Sequence, residues 1–269
     1  MPARILVDRV MDGPERHDFA GGELAVYTAP PPGEKGGNQD GAALVELGPG
    51  RGVLAVADGL GGQPAGDKAA RLTLEALVDS VLERDAREGN LRHAILDAFE
   101  RANEQVQALG VGAATTLVVA EIEAGQLRTY HVGDSMILVV GQRGRRKLQT
   151  VSHSPVGYGV EAGMIDESEA LHHDELHLIS NMVGAPDMRI EIGSPRPLAP
   201  NDTVVLASDG LLDNVHLGEI AEAVRKGAID VAARKLVGKA RQRMAGEDEG
   251  QPSKPDDTTF IAFRPRARR

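Results

Sequence analysis

AALVELGPGRGVLAVADGLGG, residues 42–62, contains two short apolar runs joined by a glycine-proline turn, and the second run meets Asp58 and breaks into glycine. Short apolar runs bounded by turn residues read as strands, so 42–47 and 52–57 pair as a hairpin with Asp58 at its end. A carboxylate at a strand end, beside glycines whose bare backbone lets an ion come close, suits an oxygen-ligated metal site. Asp-Gly is also the commonest turn dipeptide, and this stretch alone leaves both readings open.

The same shape recurs along the chain. VVLASDGLLDNV (204–215) is an apolar run ending in Asp209-Gly210, and YHVGDS (130–135) places Asp134 after another strand-like stretch. Asp40 closes GGNQD and brackets the hairpin together with Asp58, while Asp256 precedes the apolar run of KPDDTTFIAF. Chance turns do not account for the whole set.

Composition narrows the chemistry. The 269 residues suffice for one catalytic domain spanning 1–269. A net charge of −10 argues against a broad basic surface for nucleic acid and fits a protein that collects cations. Cysteine is absent, which excludes thiolate nucleophiles and thiolate metal sites, so a bound metal relies on oxygen or imidazole. Mg²⁺ or Mn²⁺ is the expected ion. The N-terminus lacks the hydrophobic region of a secretory signal, and no apolar run approaches the roughly 18–20 residues of a membrane span, so no membrane association and a cytoplasmic location are expected.

Strands are expected at 23–28, 42–47, 52–57, 115–122, 126–132, 136–140, 147–151, 203–208 and 258–263. Helical spacing runs from Ala69 to Val81 and from Leu91 to Leu109, predicting two helices packed side by side on a sheet; two more are expected around 217–225 and 229–244. Residues 152–200 read as an irregular, histidine-bearing lobe inserted near a site, with one short helix at 166–172. The terminal RPRARR reads as a solvated tail.

The motifs NQD (38–40), VADGLGG (56–62), GAATTLVVA (112–120), HVGDS (131–135), SHS (152–154), ASDGLLDNV (207–215) and DDTT (256–259) occur in the order and spacing of one family. From about residue 24 to 263 the chain resembles the PP2C (PPM) family of metal-dependent serine/threonine protein phosphatases, in its bacterial single-domain form. The resemblance implies an α+β fold, a four-layer α-β-β-α sandwich of two antiparallel sheets flanked by pairs of antiparallel helices. By matching positions it implies that Asp58 bridges two Mn²⁺ or Mg²⁺ ions, that the Gly59 carbonyl completes one sphere, and that Asp209 and Asp256 bind the other ion. Asp40 acts through a water, and Asp134 matches the ligand of a third, weaker ion. The implied reaction is hydrolysis of phosphoserine and phosphothreonine by a metal-bound bridging water, on proteins that are targets of a serine/threonine kinase. A monomer that binds no nucleic acid is expected.

The chemistry asks for such a site. A phosphomonoester dianion repels hydroxide, and two hard divalent ions about 3.5–4 Å apart both acidify water and offset the charge of in-line displacement. A calcium loop is disfavoured because these aspartates are scattered along the chain, and the glycine loop GLGGQPAG matches neither nucleotide-binding pattern. A catalytically weak phosphoprotein-binding regulator on the same fold is the alternative.

The sequence departs from the family at several positions. Lys35 stands where many relatives have a phosphate-gripping arginine, offering a point charge without the bidentate fork. Leu60 follows the Asp58-Gly59 pair where some members carry histidine, Asp257 replaces a frequent asparagine, and Met136 replaces a frequent arginine. For His153, His172, His173 and His177, surface or hydrogen-bonding roles are expected rather than catalysis.

Overall fold

The computed structural model describes residues 3–34, 37–60, 65–85 and 90–266. Its elements are β1 (Ala3–Val7), β2 (Glu15–Phe19), β3 (Gly22–Ala29), β4 (Asp40–Gly48), β5 (Arg51–Asp58), α1 (Gly66–Asp85), α2 (Leu91–Gln107), β6 (Leu117–Glu123), β7 (Gln126–Val132), β8 (Met136–Val140) and β9 (Arg146–Gln149). After these come α3 (Pro155–Glu161), α4 (Glu167–Ala170), β10 (Glu191–Ile192), β11 (Arg196–Pro197), β12 (Thr203–Ala207), α5 (Asp209–Leu212), α6 (Leu217–Val224), α7 (Ile229–Met244) and β13 (Thr258–Pro265).

The strands form two antiparallel sheets. One runs β1-β4-β5-β6-β7-β10, with β11 also on β7; the other runs β2-β3-β13-β12-β8-β9. Alternation along each strand sends side chains to two different cores. In β4 and β5, Ala43, Val45, Val53 and Ala55 face α1 and α2, while Ala42, Leu44, Leu54 and Val56 meet Val26, Leu206, Ile261 and Phe263 of the other sheet. The outer face of that second sheet packs Tyr27, Val205 and Phe260 against Ile220, Ala233 and Leu236 of α6 and α7. The result is the expected α-β-β-α order of layers. Because both faces of the central strands are covered, their sequences read as continuous apolar runs instead of alternating with polar residues.

Helix caps match the sequence signals. Asn90 accepts a hydrogen bond from the Arg92 backbone at 2.9 Å and starts α2, where the sequence breaks between the two helical patterns. Arg243, buried in α7, ties that helix to α6 through Glu219 at 2.7 and 2.9 Å and to the Asn214 carbonyl at 2.8 Å.

Several elements lie outside the sequence expectation. β1 and β2 are sheet edges, and the charged ERHDF of β2 carries no apolar period because an edge strand tolerates, and benefits from, charge. α3 escapes notice because Gly157 and Gly159 are poor helix formers; it begins at Pro155, with Ser154 Oγ accepting from the Gly157 N–H at 2.9 Å. The short helix expected at 166–172 is the four-residue α4. The segment 152–200 thus holds α3, α4 and two strands of two residues each that add to β7. Among the described residues no helix is long and apolar enough to cross a membrane.

Phe263 is fully buried between the sheets and meets Phe19 edge-on, with ring centroids 5.9 Å apart. Phe263→Ala is expected to lower unfolding stability by about 3–5 kcal/mol. Urea titration measures this, and a loss under about 1 kcal/mol would contradict a close-packed inter-sheet core.

Candidate active site

The register of the β4–β5 hairpin sets Asp40 directly opposite Asp58 at the end of the first sheet. Like charges facing each other across a strand pair repel, so this placement needs compensation. Part of it comes from the second sheet. Ser208, which follows β12, donates its hydroxyl to Asp40 Oδ2 at 2.7 Å and accepts from the Thr259 N–H at 2.9 Å. Asp257 Oδ2 accepts the Gln39 N–H at 2.6 Å, and Asn38 orders the loop by accepting the Asp40 N–H at 3.0 Å and donating to Thr28 Oγ1 at 2.8 Å. The NQD, SDG and DDTT segments, distant in sequence, therefore form one hydrogen-bonded junction between the sheets.

Asp58 is fixed by the GAATT segment. Its N–H donates to Thr116 Oγ1 at 3.1 Å, and its carbonyl accepts from the Thr116 N–H at 2.8 Å and from Thr115 Oγ1 at 2.7 Å. Thr116 in turn hydrogen-bonds Ser135 at 2.7 Å, which couples Asp58 to the turn that carries Asp134. Gly59 has no room for a side chain: a Cβ there would lie 2.4 Å from the Gly66 carbonyl oxygen at the start of α1 and 2.8 Å from that of Gln39.

Asp209 opens α5, and one turn later Asp213 lies on the same side of that helix. Between them sits Lys254, whose Nζ is 2.6 Å from Asp209 Oδ2, 2.8 Å from Asp213 Oδ2 and 3.5 Å from Asp256 Oδ2. Gly210 is equally constrained, since a Cβ would fall 1.9 Å from the Asp257 carbonyl oxygen. Asp213, Lys254 and Ser208 were not singled out as site residues by sequence, although each lies within or beside a motif that was. The i, i+4 spacing of Asp209 and Asp213 on a helix start was the available signal.

The electrostatics follow from this crowding. Burial, and then the charges of their neighbours, raises Asp40 and Asp58 well above the usual carboxylate range. Burial followed by Asp209 and Asp213 pushes Asp134 up to about 8. Burial and Asp209 push Asp213 up to about 7, and burial with Asp256 pushes Asp257 up to about 6 against the opposing Gln39 hydrogen bond. Burial works against charge on Lys254, but the facing Asp209 and Asp213 outweigh it and hold the ammonium protonated.

Asp40 Oδ1 and Asp134 Oδ1 are buried with no hydrogen-bond partner among the described residues. Buried carboxylate oxygens with free lone pairs, in a group that repels itself, form the donor set of a hard divalent cation, so the residues present fit Mg²⁺ or Mn²⁺. Lys35 lies outside the described residues.

Among the described residues the set of three metal-capable side chains whose ligand atoms all fall within 4.8 Å is His131, His153 and Glu191, and no three of the aspartates meet that limit. The histidines are already committed. His131 Nε2 lies 2.8 Å from the Val151 carbonyl and so carries the proton, while His153 Nδ1 accepts from the Gly133 N–H at 3.1 Å and faces Asn181 Nδ2 at 2.9 Å. That leaves His153 Nε2 to donate toward Glu191 at 3.3 Å. The rings stack at 4.4 Å and brace the turn that carries Asp134. His153 thus has the hydrogen-bonding role expected for it, and His172 and His177 are exposed, as expected.

A cavity of about 750 Å³ opens from Asp134, Asp209 and Asp213 and runs between α3, α4 and the start of α6, over Met136, Val156 and Leu217. It gives the carboxylates an open approach of the size of a small-molecule site.

Residues 34–239 match the family described as Protein phosphatase 2C. The serine/threonine phosphatase stp of Listeria monocytogenes is 28% identical over 223 residues, covering 78% of this chain and 86% of that protein. Among solved structures, the S. agalactiae serine/threonine phosphatase superposes with a TM-score of 0.76 at 28% identity, covering 90% of this chain and 99% of the other. The catalytic domain of the phosphatase PstP, solved in complex with 2 manganese ions, superposes with a TM-score of 0.69 at 25% identity, covering 90% and 96%.

The raised carboxylates carry a pH signature for the metal-free protein. Unfolded aspartates titrate near about 3.9, whereas in the fold Asp257, Asp213 and Asp134 release protons at about 6, 7 and 8. Between these limits the folded chain holds protons that the unfolded chain has lost, so stability falls as pH rises from about 4 to 8. His131, lowered by burial, opposes this as a single group. Chelator-treated protein is expected to melt at a lower temperature at pH 8 than at pH 5.5, with saturating Mn²⁺ removing most of the difference. A metal-free melting temperature that rises across this window would contradict the charge arrangement.

Proposed function

This chain belongs to the protein phosphatase 2C family of serine/threonine phosphatases, and from that premise we propose that it hydrolyses phosphoserine and phosphothreonine in proteins with two divalent ions, Mn²⁺ or Mg²⁺. The observation that supports this most directly is the convergence of Asp40, Asp58, Asp209 and Asp256 from separate segments on one end of the sandwich, with a buried, partnerless oxygen on Asp40. In this reading Asp58, the Gly59 carbonyl and, through water, Asp40 would hold one ion, and Asp58, Asp209 and Asp256 would hold the other. When bound, the ions acidify water to the working pH and neutralise the phosphoryl oxygens during in-line displacement.

The chain's own residues do the positioning. Ser208 occupies Asp40 Oδ2 and leaves Oδ1 as the atom turned to the reaction. The Thr115 and Thr116 hydroxyls hold the Asp58 backbone and so fix where the end of β5 presents it. Asp257 accepts the Gln39 N–H with one carboxylate oxygen, as an amide oxygen of asparagine at the same place can, which accounts for this departure from the family pattern. Leu60 offers no proton, so the leaving alkoxide takes one from water or from another residue of the site. The cavity beside Asp134 and Asp209 receives the substrate segment, flanked by the 152–200 lobe. The whole of 1–269 is then one catalytic domain, acting as a cytoplasmic monomer on the targets of a serine/threonine kinase.

Hydrolysis of p-nitrophenyl phosphate and of a phosphothreonine peptide is expected to require Mn²⁺ or Mg²⁺. Asp209→Ala is expected to lower kcat roughly a hundredfold or more while circular dichroism stays unchanged. Turnover that survives both chelation and Asp209→Ala would exclude this mechanism, and a folded wild type that binds phosphopeptide without turnover would make it a phosphoprotein-binding regulator. Lys35 is proposed as the phosphate-contacting cation, so Lys35→Arg is expected to lower KM by supplying a bidentate fork. An unchanged or higher KM would remove Lys35 from that role.

A further inference from the structure

Lys254 is not placed like a surface lysine. Its backbone N–H donates to Asn214 Oδ1 at 2.9 Å and its carbonyl accepts from Asn214 Nδ2 at 2.8 Å, so one fully buried amide clamps the backbone on both sides of the residue. Asn214 is itself anchored to the start of α5, donating to the Gly210 carbonyl at 2.9 Å. The helix that presents Asp209 and Asp213 therefore also fixes the residue that neutralises them. From that anchor the side chain reaches back, and its three N–H donors meet three carboxylates, Asp209 at 2.6 Å, Asp213 at 2.8 Å and Asp256 at 3.5 Å. Among the described residues it is the one lysine or arginine in contact with these aspartates.

An ammonium and a divalent ion cannot share one carboxylate oxygen at contact distance, because their mutual repulsion adds to the lost ligand. Lys254 holds Asp209 Oδ2 and Asp213 Oδ2, and its charge also reaches Asp134 on the far side. The aspartates on this side stand around the ammonium, consistent with no three of them closing to within 4.8 Å.

We propose that Lys254 is a resident cation of the aspartate cluster, taking the Asp209–Asp213 side that a third divalent ion would otherwise occupy, so that this protein binds two divalent ions and not three. The inference rests on the ligand assignment under the proposed function and narrows it: with Oδ2 held by the lysine, Asp209 would meet the second ion through Oδ1, and Asp134 and Asp213 serve the lysine's charge before they serve a metal.

The test is Mn²⁺ binding to the metal-stripped full-length protein, by titration calorimetry and by the paramagnetic resonance of free Mn²⁺. Wild type is expected to bind two ions. Lys254→Met is expected to bind a third, at least about tenfold more tightly than any third ion on wild type, a gain of about 1.4 kcal/mol. Lys254→Arg, which keeps the charge, is expected to stay at two. The metal-free melting temperature of Lys254→Met should fall and recover with Mn²⁺. Three ions on wild type, or the same stoichiometry and affinities in wild type and Lys254→Met, would overturn the proposal even if Asp209→Ala abolishes turnover. Should Lys254→Met fail to fold, the stoichiometries of wild type and Lys254→Arg still decide, since three ions on either one refutes it. No Mn²⁺ on wild type at all would remove the metal-dependent reading together with this one.

Discussion

The constraint on which this structure depends is the crowding of carboxylates at one end of the sandwich. Asp40 and Asp58 face each other across a strand pair, and Asp134, Asp209, Asp213, Asp256 and Asp257 close around them from other segments. Such a group would drive its own strands apart unless the framework were rigid and some of the charge were met. The framework supplies the first condition. The central strands of both sheets are buried on both faces, so their ends cannot move without disturbing a close-packed core on either side.

The second condition is met by a few specific contacts. The Asp40–Ser208–Thr259 chain and the Gln39–Asp257 hydrogen bond tie the ends of the two sheets together where the charges would separate them. Lys254 neutralises the remainder on the α5 side, and the orphaned oxygen of Asp40 is left for a cation. Charge repulsion, interlayer hydrogen bonding and metal affinity are thus one balance. A fold that kept these aspartates but lost the junction would lose the orientation of Asp40 before it lost its core.

The departures from the family pattern fall into place around that balance. Asp257 keeps the hydrogen-bonding oxygen that an asparagine would offer and adds a carboxylate whose protonation is favoured by burial. Met136 begins β8 in register with Ala207 and forms part of the cavity wall, an apolar surface where an arginine would bring charge. His153 braces the turn that presents Asp134 through a committed ring nitrogen on each side, which explains a histidine in that motif without assigning it a proton-transfer step.

The sequence by itself determined the strand hairpin at 42–57 and the helical pairs, which rest on local periodicity and on turn residues adjacent in the chain, while the fold class and the candidate aspartates followed from the resemblance its motifs carry. It missed β1 and β2, whose edge positions free them from an apolar pattern, and α3, whose glycines mask its period. Only the tertiary structure decided that Asp213 and Lys254 belong to the site, that Ser208 links the sheets through Asp40, and that the histidines of the HVGDS and SHS motifs form a brace. These facts depend on side chains brought together across long stretches of chain, with Asn214 clamping Lys254 and Ser208 reaching Asp40. Spacing along a sequence records which residues can share a strand or a helix face; it does not record which oxygen of an aspartate is already occupied.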